Sequence, residues 1–142
     1  MSWQPQGTVV VPIDFSDNSF AALKTAAEVT GDAERVHLVH VLPHLEPADP
    51  GVIWQAIDDA SRSEHAQEAL DQELADRQLS VGRVIIRFGD PGHEIATYAE
   101  EESAGLIVLS SHGRSGLQRL LIGSVAERIV RLAHCPVLVL RQ

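Results

Sequence analysis

The sequence is poor in several residue types, and each shortage excludes a class of protein. Its 142 residues include a single cysteine, Cys135, which excludes an internal disulfide framework, and no Cys/His spacing matches a structural zinc site. No apolar run approaches the roughly 20 residues that cross a bilayer. The first residues lack the basic start and apolar stretch of a signal peptide. We therefore expect a cytoplasmic protein.

Basic residues are also scarce. Eleven Lys and Arg residues stand against 20 Asp and Glu residues, which gives a formal net charge of −9. This charge disfavours attraction to nucleic acid or to an anionic membrane, so neither is expected as a partner. The one lysine, Lys24, lies in a helical pattern, and neither G-x-x-x-x-G-K-[ST] nor G-x-G-x-x-G occurs. The sequence therefore disfavours a phosphate-loop NTPase and a dinucleotide-binding domain.

Five short apolar runs alternate with helical patterns along the chain. The runs cover residues 8–13, 36–42, 84–88, 106–109 and 137–140, and they are close to continuous, as in strands covered on both faces. The length corresponds to one domain over residues 1–142. The alternation predicts an α/β fold, a single doubly wound, five-stranded parallel sheet with helices on both faces. In such sheets ligands bind beyond the carboxyl ends of the strands.

The helices are predicted from their end signals and from apolar residues at helical spacing. The first helix carries Phe20, Leu23 and Ala27 between a cap at Ser16 and a stop at Gly31, and the second carries Ile57, Ala66, Ala69, Leu70 and Leu74 within residues 54–79. The third follows Asp90 and Pro91 and carries Ile95 and Ala99. The fourth follows a capping box at Ser124 and Glu127 and carries Val125, Ile129, Leu132 and Ala133.

The segment after the fourth apolar run carries the clearest chemistry. Its glycines, Gly113 and Gly123 among them, allow a close backbone approach, and consecutive N–H groups in such a loop form an anion-binding nest. Arg114 adds a cation, Ser115 and Ser124 add hydroxyls, and the start of a helix adds partial positive charge. From the residues alone, a polyphosphate site and a loop whose glycines only make turns remain equally open.

The chain resembles the universal stress protein family over essentially its full length. The matching pieces are residues 11–16, 39–41, 89–91, 111–125 and 135–140. The ATP-binding branch of that family carries G-x2-G-x9-G-(S/T), in which Gly113 matches the second glycine and Gly123 with Ser124 match the end. Ser110 stands at the position of the first glycine. The resemblance implies a Rossmann-like fold of the adenine nucleotide alpha hydrolase type.

The resemblance also implies ATP as the cofactor, together with Mg²⁺, and it assigns roles to residues of this chain. In ATP-binding relatives the matching residues line the adenosine pocket, lie along the ribose and first phosphates, or hold the polyphosphate. The residues that match the adenosine pocket are Pro12, Asp14 and Val41, and those that match the ribose and first phosphates are Leu109, Ser110 and Gly113. The residues that match the polyphosphate site are Arg114, Ser115, Gly123, Ser124 and Val125.

Two of these positions have alternative interpretations. Asp14 either accepts from a ribose or base or serves as a turn residue before Ser16. Ser110 is strained if its position needs a positive φ, but it fits if the position needs only a small side chain.

No catalytic set stands out in the sequence. A G-x-S-x-G elbow is missing, Cys135 opens an apolar run, and the seven histidines show no ligand spacing, so no catalytic residue and no dedicated metal site are expected. We expect an ATP-binding regulatory protein of the stress response, with at most slow hydrolysis or autophosphorylation. In it, bound nucleotide modulates dimer or partner interactions. The alternative is a stress-related dimerisation or interaction module that does not bind ATP.

The last apolar run predicts a homodimer. Residues 137–140 are apolar at every position, and an uncovered apolar edge strand is a liability that proteins avoid. Pairing with its own symmetry mate would cover both edges at once. The resemblance supports the same strand as a dimer interface. The alternative is an internal strand whose side chains face helices on both sides.

Overall fold

The five predicted strands are present and form one parallel sheet in the computed structural model, which describes residues 3–45, 58–112 and 122–141. The strands are β1 (Val9–Pro12), β2 (Val36–Leu42), β3 (Arg83–Phe88), β4 (Leu106–Ser110) and β5 (Val137–Leu140). Each adjacent pair is parallel, in the order β3-β2-β1-β4-β5. The predicted fold class is confirmed.

Helices cover both faces of this sheet. They are α1 (Asp17–Thr30), α2 (Asp59–Arg77), α3 (Pro91–Glu101) and α4 (Ser124–Leu132), and a short 3₁₀ turn spans Ala33–Arg35. Alternate residues of β1 separate two cores: Val9 and Val11 pack with α1 and α2, whereas Val10 packs with α3 and α4. None of these helices, taken over the described residues, has the length and apolar character needed to cross a membrane.

Local signals set the ends of α1 and α3 as predicted. The Ser16 hydroxyl accepts from the Ser19 N–H at 3.1 Å, and α1 ends at Gly31 with a φ of 68°. The Asp90 carboxylate accepts from the His93 N–H at 2.9 Å, and Pro91 occupies the first helical position, where its missing N–H costs nothing.

The predicted second helix is shorter than its apolar pattern. It ends at Arg77 because Gln78 turns left-handed with a φ of 58°. Leu70 and Leu74 are buried, but Ala69 is exposed, contrary to the prediction. The Trp54 and Ile57 end of the predicted segment lies outside the described residues.

The predicted capping box at the start of α4 is wrong. Gly123 is the capping residue, with no side-chain hydrogen bond, because Ser124 already has helical backbone and its hydroxyl does not cap. The predicted apolar stripe is also partly wrong: Val125 and Leu132 are 41% and 38% exposed. Ala126 and Ile129 are the buried residues of α4, and the cluster to which they belong extends from Val10 of β1 to Val137 of β5.

The two edges of the sheet differ in chemistry. At β3, Arg87 pairs with Glu101 at 2.5 Å, and Arg83 lies 3.7 Å from a carboxylate oxygen of Glu102. At β5, all four residues are apolar and half-buried. The alternative of an internal final strand is wrong, since β5 pairs with β4 alone among the described strands.

A glycine precedes both β3 and β4 and packs directly against the backbone of a neighbouring segment. Gly82 precedes β3 and its N–H donates to the Val36 carbonyl, whereas Gly105 precedes β4 and its N–H donates to the Thr8 carbonyl, both at 2.9 Å. A Cβ atom on either glycine would stand 1.9 Å from a backbone carbonyl oxygen of the neighbouring segment. Only glycine fits at these two entries.

Candidate functional site

A cavity of about 290 Å³ lies at the carboxyl edge of the sheet, where β1 has β2 on one side and β4 on the other. This is the switch point at which open α/β sheets bind ligands, and the volume is near the lower end, about 300 Å³, of small-molecule sites. Every predicted site residue that the structure describes lines it: Pro12, Asp14, Val41, Leu109, Ser110, Gly123, Ser124 and Val125. Gly113, Arg114 and Ser115 lie outside the described residues.

The floor of the cavity is apolar. Val39 and Ile129 have no exposed surface, and Ile95 is 1% exposed. Sequence reasoning placed Ile95 and Ile129 on buried helix stripes but did not assign them to the site. Helical periodicity identified their burial, but only the packing of α3 and α4 over the end of the sheet brings them to the cavity.

Asp14 serves as the turn residue that the sequence left open as one of its two roles, and it also lies in the cavity wall. It lines the cavity, and its Oδ1 also accepts from the Ser16 N–H at 3.0 Å and from the Ser16 hydroxyl at 2.5 Å. The Asp14 N–H donates to the hydroxyl of buried Ser19 at 3.4 Å. The carboxylate is therefore held by the turn that joins β1 to α1. Sequence reasoning missed Ser19 as a lining residue.

Ser110 is not strained. Among the described residues, non-glycine backbone with positive φ occurs at Phe15, Gln78 and Ser103, so Ser110 keeps the extended backbone of β4. Its hydroxyl donates to the carbonyl of His112. A serine therefore fits this position, and its side chain supports the exit of the chain from β4.

The chain leaves β4 and returns to α4 through a narrow neck, formed by Ser111 and Gly123. The Gly123 N–H donates to the Ser111 carbonyl at 2.5 Å. A Cβ atom on Gly123 would lie 2.9 Å from that same oxygen, closer than side chains are found. The neck therefore requires glycine at position 123, although its φ of −72° is open to any residue.

The first turn of α4 brings backbone N–H groups to the cavity. The first N–H groups of a helix have no intrahelical acceptor, and the capping residue Gly123 has no side chain that could accept from them. Ser124 and Val125 occupy this turn and line the cavity. Their N–H groups and the positive end of the helix dipole favour an anion at this place.

The donor set suits a nucleotide better than a metal held by the protein alone. In residues 3–45, 58–112 and 122–141, no group of three or more His, Cys, Asp or Glu side chains is placed to hold a metal ion. Asp14 is the only carboxylate among the described lining residues. A divalent cation here would depend on phosphate oxygens for most of its ligands.

Comparisons with known proteins agree with this architecture. The profile of the Universal stress protein family matches residues 7–141. Universal stress protein MJ0531 of Methanocaldococcus jannaschii is 38% identical over 141 residues, which cover 94% of this chain and 81% of the relative.

Solved structures show the same similarity. The structure of MJ0577, also from Methanocaldococcus jannaschii, is 29% identical and covers 96% of each chain with a TM-score of 0.73. The universal stress protein UspA from Lactobacillus plantarum is 27% identical and covers 96% of this chain and 99% of its own, with a TM-score of 0.74. The structure of a universal stress protein family protein from Arabidopsis thaliana with AMP bound is 19% identical. The match covers 96% of this chain and 92% of that one with a TM-score of 0.60, which shows a similarity of fold alone.

Proposed function

The chain belongs to the universal stress protein family, and from that premise we propose that its cavity binds an adenine nucleotide, namely ATP with Mg²⁺. The observation that carries the proposal is that all described residues assigned to the site from the family resemblance line one cavity at the switch point. In this proposal the bound nucleotide modulates how the protein pairs with itself or with other partners.

The apolar part of the cavity suits the nucleoside. Pro12, Val41 and Leu109 line it above the buried floor, and such a surface accepts a flat base through burial of apolar area. Asp14 stands at the polar margin and is the natural acceptor for ribose hydroxyls, because ionised carboxylates accept charge-assisted hydrogen bonds.

The first turn of α4 suits the phosphates. Its first N–H groups, which Gly123 does not cap with a side chain, and the helix dipole favour negative charge at Ser124 and Val125. Gly113, Arg114 and Ser115 are proposed to complete the phosphate site, with the arginine as its cation. Asp14 is the described carboxylate that would help to hold Mg²⁺, which would offset the charge of a bound polyphosphate.

We regard the site as a binding site with at most slow hydrolysis. Asp14 is the one described lining carboxylate, and its Oδ1 already accepts two hydrogen bonds from Ser16. Those bonds leave that oxygen poorly placed to take a proton from an attacking water.

The experiment that tests the proposal is nucleotide analysis followed by calorimetry. Purified protein is denatured and the released small molecules are separated by chromatography; then stripped protein is titrated with ATP, ADP and AMP, with and without Mg²⁺, and with GTP as control. We expect binding of adenine nucleotides, tightest for ATP with Mg²⁺, and weaker binding of GTP. Absence of both released nucleotide and binding heat would refute the proposal and favour the interaction module.

We also propose that the protein forms a homodimer through β5. The β3 edge carries arginines paired with glutamates, which discourage strand addition, but the β5 edge offers only half-buried apolar side chains. A two-fold pair needs only this one surface, repeated on each copy.

A further inference from the structure

We propose that His40 is a positioning residue of the nucleotide site, acting through the turn that joins β1 to α1 and carries Asp14. The proposal rests on the proposed function, since the quantity that His40 controls is the geometry of that cavity. His40 lies near the end of β2 and is partly buried at the cavity edge.

The position of His40 in β2 places its side chain on the α1 side of the sheet, at the edge of the cavity that the residue also lines. Neighbouring residues of a strand point to opposite faces, and Val39 belongs to the core under α3 and α4, on the same face as the cavity floor. Leu38 belongs to the opposite core, beside α1. The His40 ring therefore lies on the face of α1, beneath the turn.

The imidazole holds the end of β1 by a short hydrogen bond. Its Nδ1 lies 2.7 Å from the Ile13 carbonyl oxygen, and since a carbonyl only accepts, Nδ1 carries the proton and donates. The Ile13 N–H donates to the Val39 carbonyl at 2.9 Å. Both backbone groups of Ile13 are thus held by β2, one by the strand and one by a side chain.

The ring also contacts the strained residue of the turn. Phe15 has a φ of 68°, in the left-handed region that is costly for a residue with a Cβ atom and persists only where surroundings enforce it. The rings of Phe15 and His40 meet edge to face, with centroids 5.0 Å apart and an interplanar angle of 85°. His40 therefore contacts the residues on both sides of Asp14.

Asp14 depends on this arrangement for its place in the cavity wall. Its N–H reaches Ser19 and its carboxylate reaches Ser16 only while the chain turns at Phe15. Without the imidazole, the Ile13 carbonyl loses its donor and the Phe15 ring loses its neighbour. The turn then samples other conformations, and the nucleotide must order it again on binding, which lowers affinity.

The chain supplies a matched control for this idea. His37 lies on the same strand and forms an imidazole hydrogen bond of the same length, 2.7 Å, with the Tyr98 hydroxyl, but it is absent from the cavity lining. The variants are His40→Leu, which removes the donor, His40→Asn, whose side-chain amide restores a donor near the Nδ1 position, and His37→Leu. Each is first shown to be folded by circular dichroism at the temperature of the measurement.

Two readouts separate positioning from general stability. Calorimetric titration with ATP and Mg²⁺ is expected to show at least tenfold weaker binding for His40→Leu, recovery to within about threefold of wild type for His40→Asn, and unchanged binding for His37→Leu. Hydrogen exchange without nucleotide is expected to show lost protection in residues 13–19 for His40→Leu but not for His37→Leu.

The outcomes are distinguishable. Wild-type affinity in His40→Leu, or equal losses in His40→Leu and His37→Leu, would overturn the positioning role while leaving the proposed function intact. If the wild type binds no adenine nucleotide, the proposed function fails, and unchanged protection of residues 13–19 in His40→Leu would then overturn the positioning role separately.

Discussion

The substitution Gly123→Ala tests the neck between β4 and α4 most directly. The added methyl would lie 2.9 Å from the Ser111 carbonyl oxygen, whereas ordinary contacts begin at 3.4 Å, so the two segments must separate by about half an ångström. The φ of −72° suits alanine, so the strain is steric and confined to this contact.

The expected losses of stability and of ATP affinity follow from the hydrogen bond in the neck and from the position of α4. Separation lengthens or breaks the hydrogen bond from the Gly123 N–H to Ser111, which contributes about 0.5–1.5 kcal/mol to stability. It also moves the first turn of α4 away from the cavity. We expect the free energy of unfolding to fall by about 1 kcal/mol, and the affinity for ATP to fall at least tenfold, about 1.4 kcal/mol.

The control is Gly31→Ala at the end of α1. Gly31 has a φ of 68° and open space around its Cα, so alanine there costs about 1 kcal/mol of stability through backbone strain alone. Denaturant titration and calorimetry are run on both variants. Equal ATP affinities for wild type and Gly123→Ala would refute the reasoning, as would an equal loss of affinity in Gly31→Ala.

Three further outcomes are expected. Ser110→Gly should change ATP affinity by no more than a few-fold in calorimetry, because Ser110 is unstrained and loses only its hydrogen bond to His112; a hundredfold gain would show that the serine impairs binding. Burial, and then the charge of a nearby arginine, lower the pKa of His37 from its ordinary value of 6.5, so the folded state favours the neutral ring. The contribution of the neutral His37 ring to the free energy of unfolding is complete above pH 6.5 and is lost as the pH falls through the lowered pKa. Denaturant titrations at several pH values should therefore show a weaker dependence of this free energy on pH in His37→Leu than in the wild type. Val139→Lys should yield a folded monomer in light scattering, whereas a wild-type monomer at tens of micromolar would exclude the dimer.

Local signals predicted the sheet and most helix ends because they act within a few residues. The cap at Asp90 and the proline after it determine the start of α3 whatever surrounds them. The start of α4 was mispredicted because it is set by a contact with Ser111, twelve positions earlier in the chain. Spacing within Ser124 to Glu127 contains no information about that contact.

For the site as well, local signals were predictable from the sequence and contacts between distant segments were not. The rule that ligands bind at the carboxyl edge, together with the motif, located Asp14 and Ser110 at the cavity. The role of His40 was not visible, because a histidine in an apolar strand has the same pattern whether its ring reaches a neighbouring carbonyl or a helix. Whether Ser110 is strained depended on where β4 ends, which apolar patterning leaves uncertain by a residue.

The glycine entries at the amino edge have a consequence for motion. Gly82 and Gly105 bring the backbones of neighbouring segments into direct contact, with no side chain between them that could change rotamer. The starts of β3 and β4 therefore cannot slide against β2 and β1 without breaking backbone hydrogen bonds. That end of the sheet serves as a fixed frame, so we expect any rearrangement that accompanies the proposed nucleotide binding to occur at the opposite end, at the carboxyl ends of the strands, while the strands stay in register.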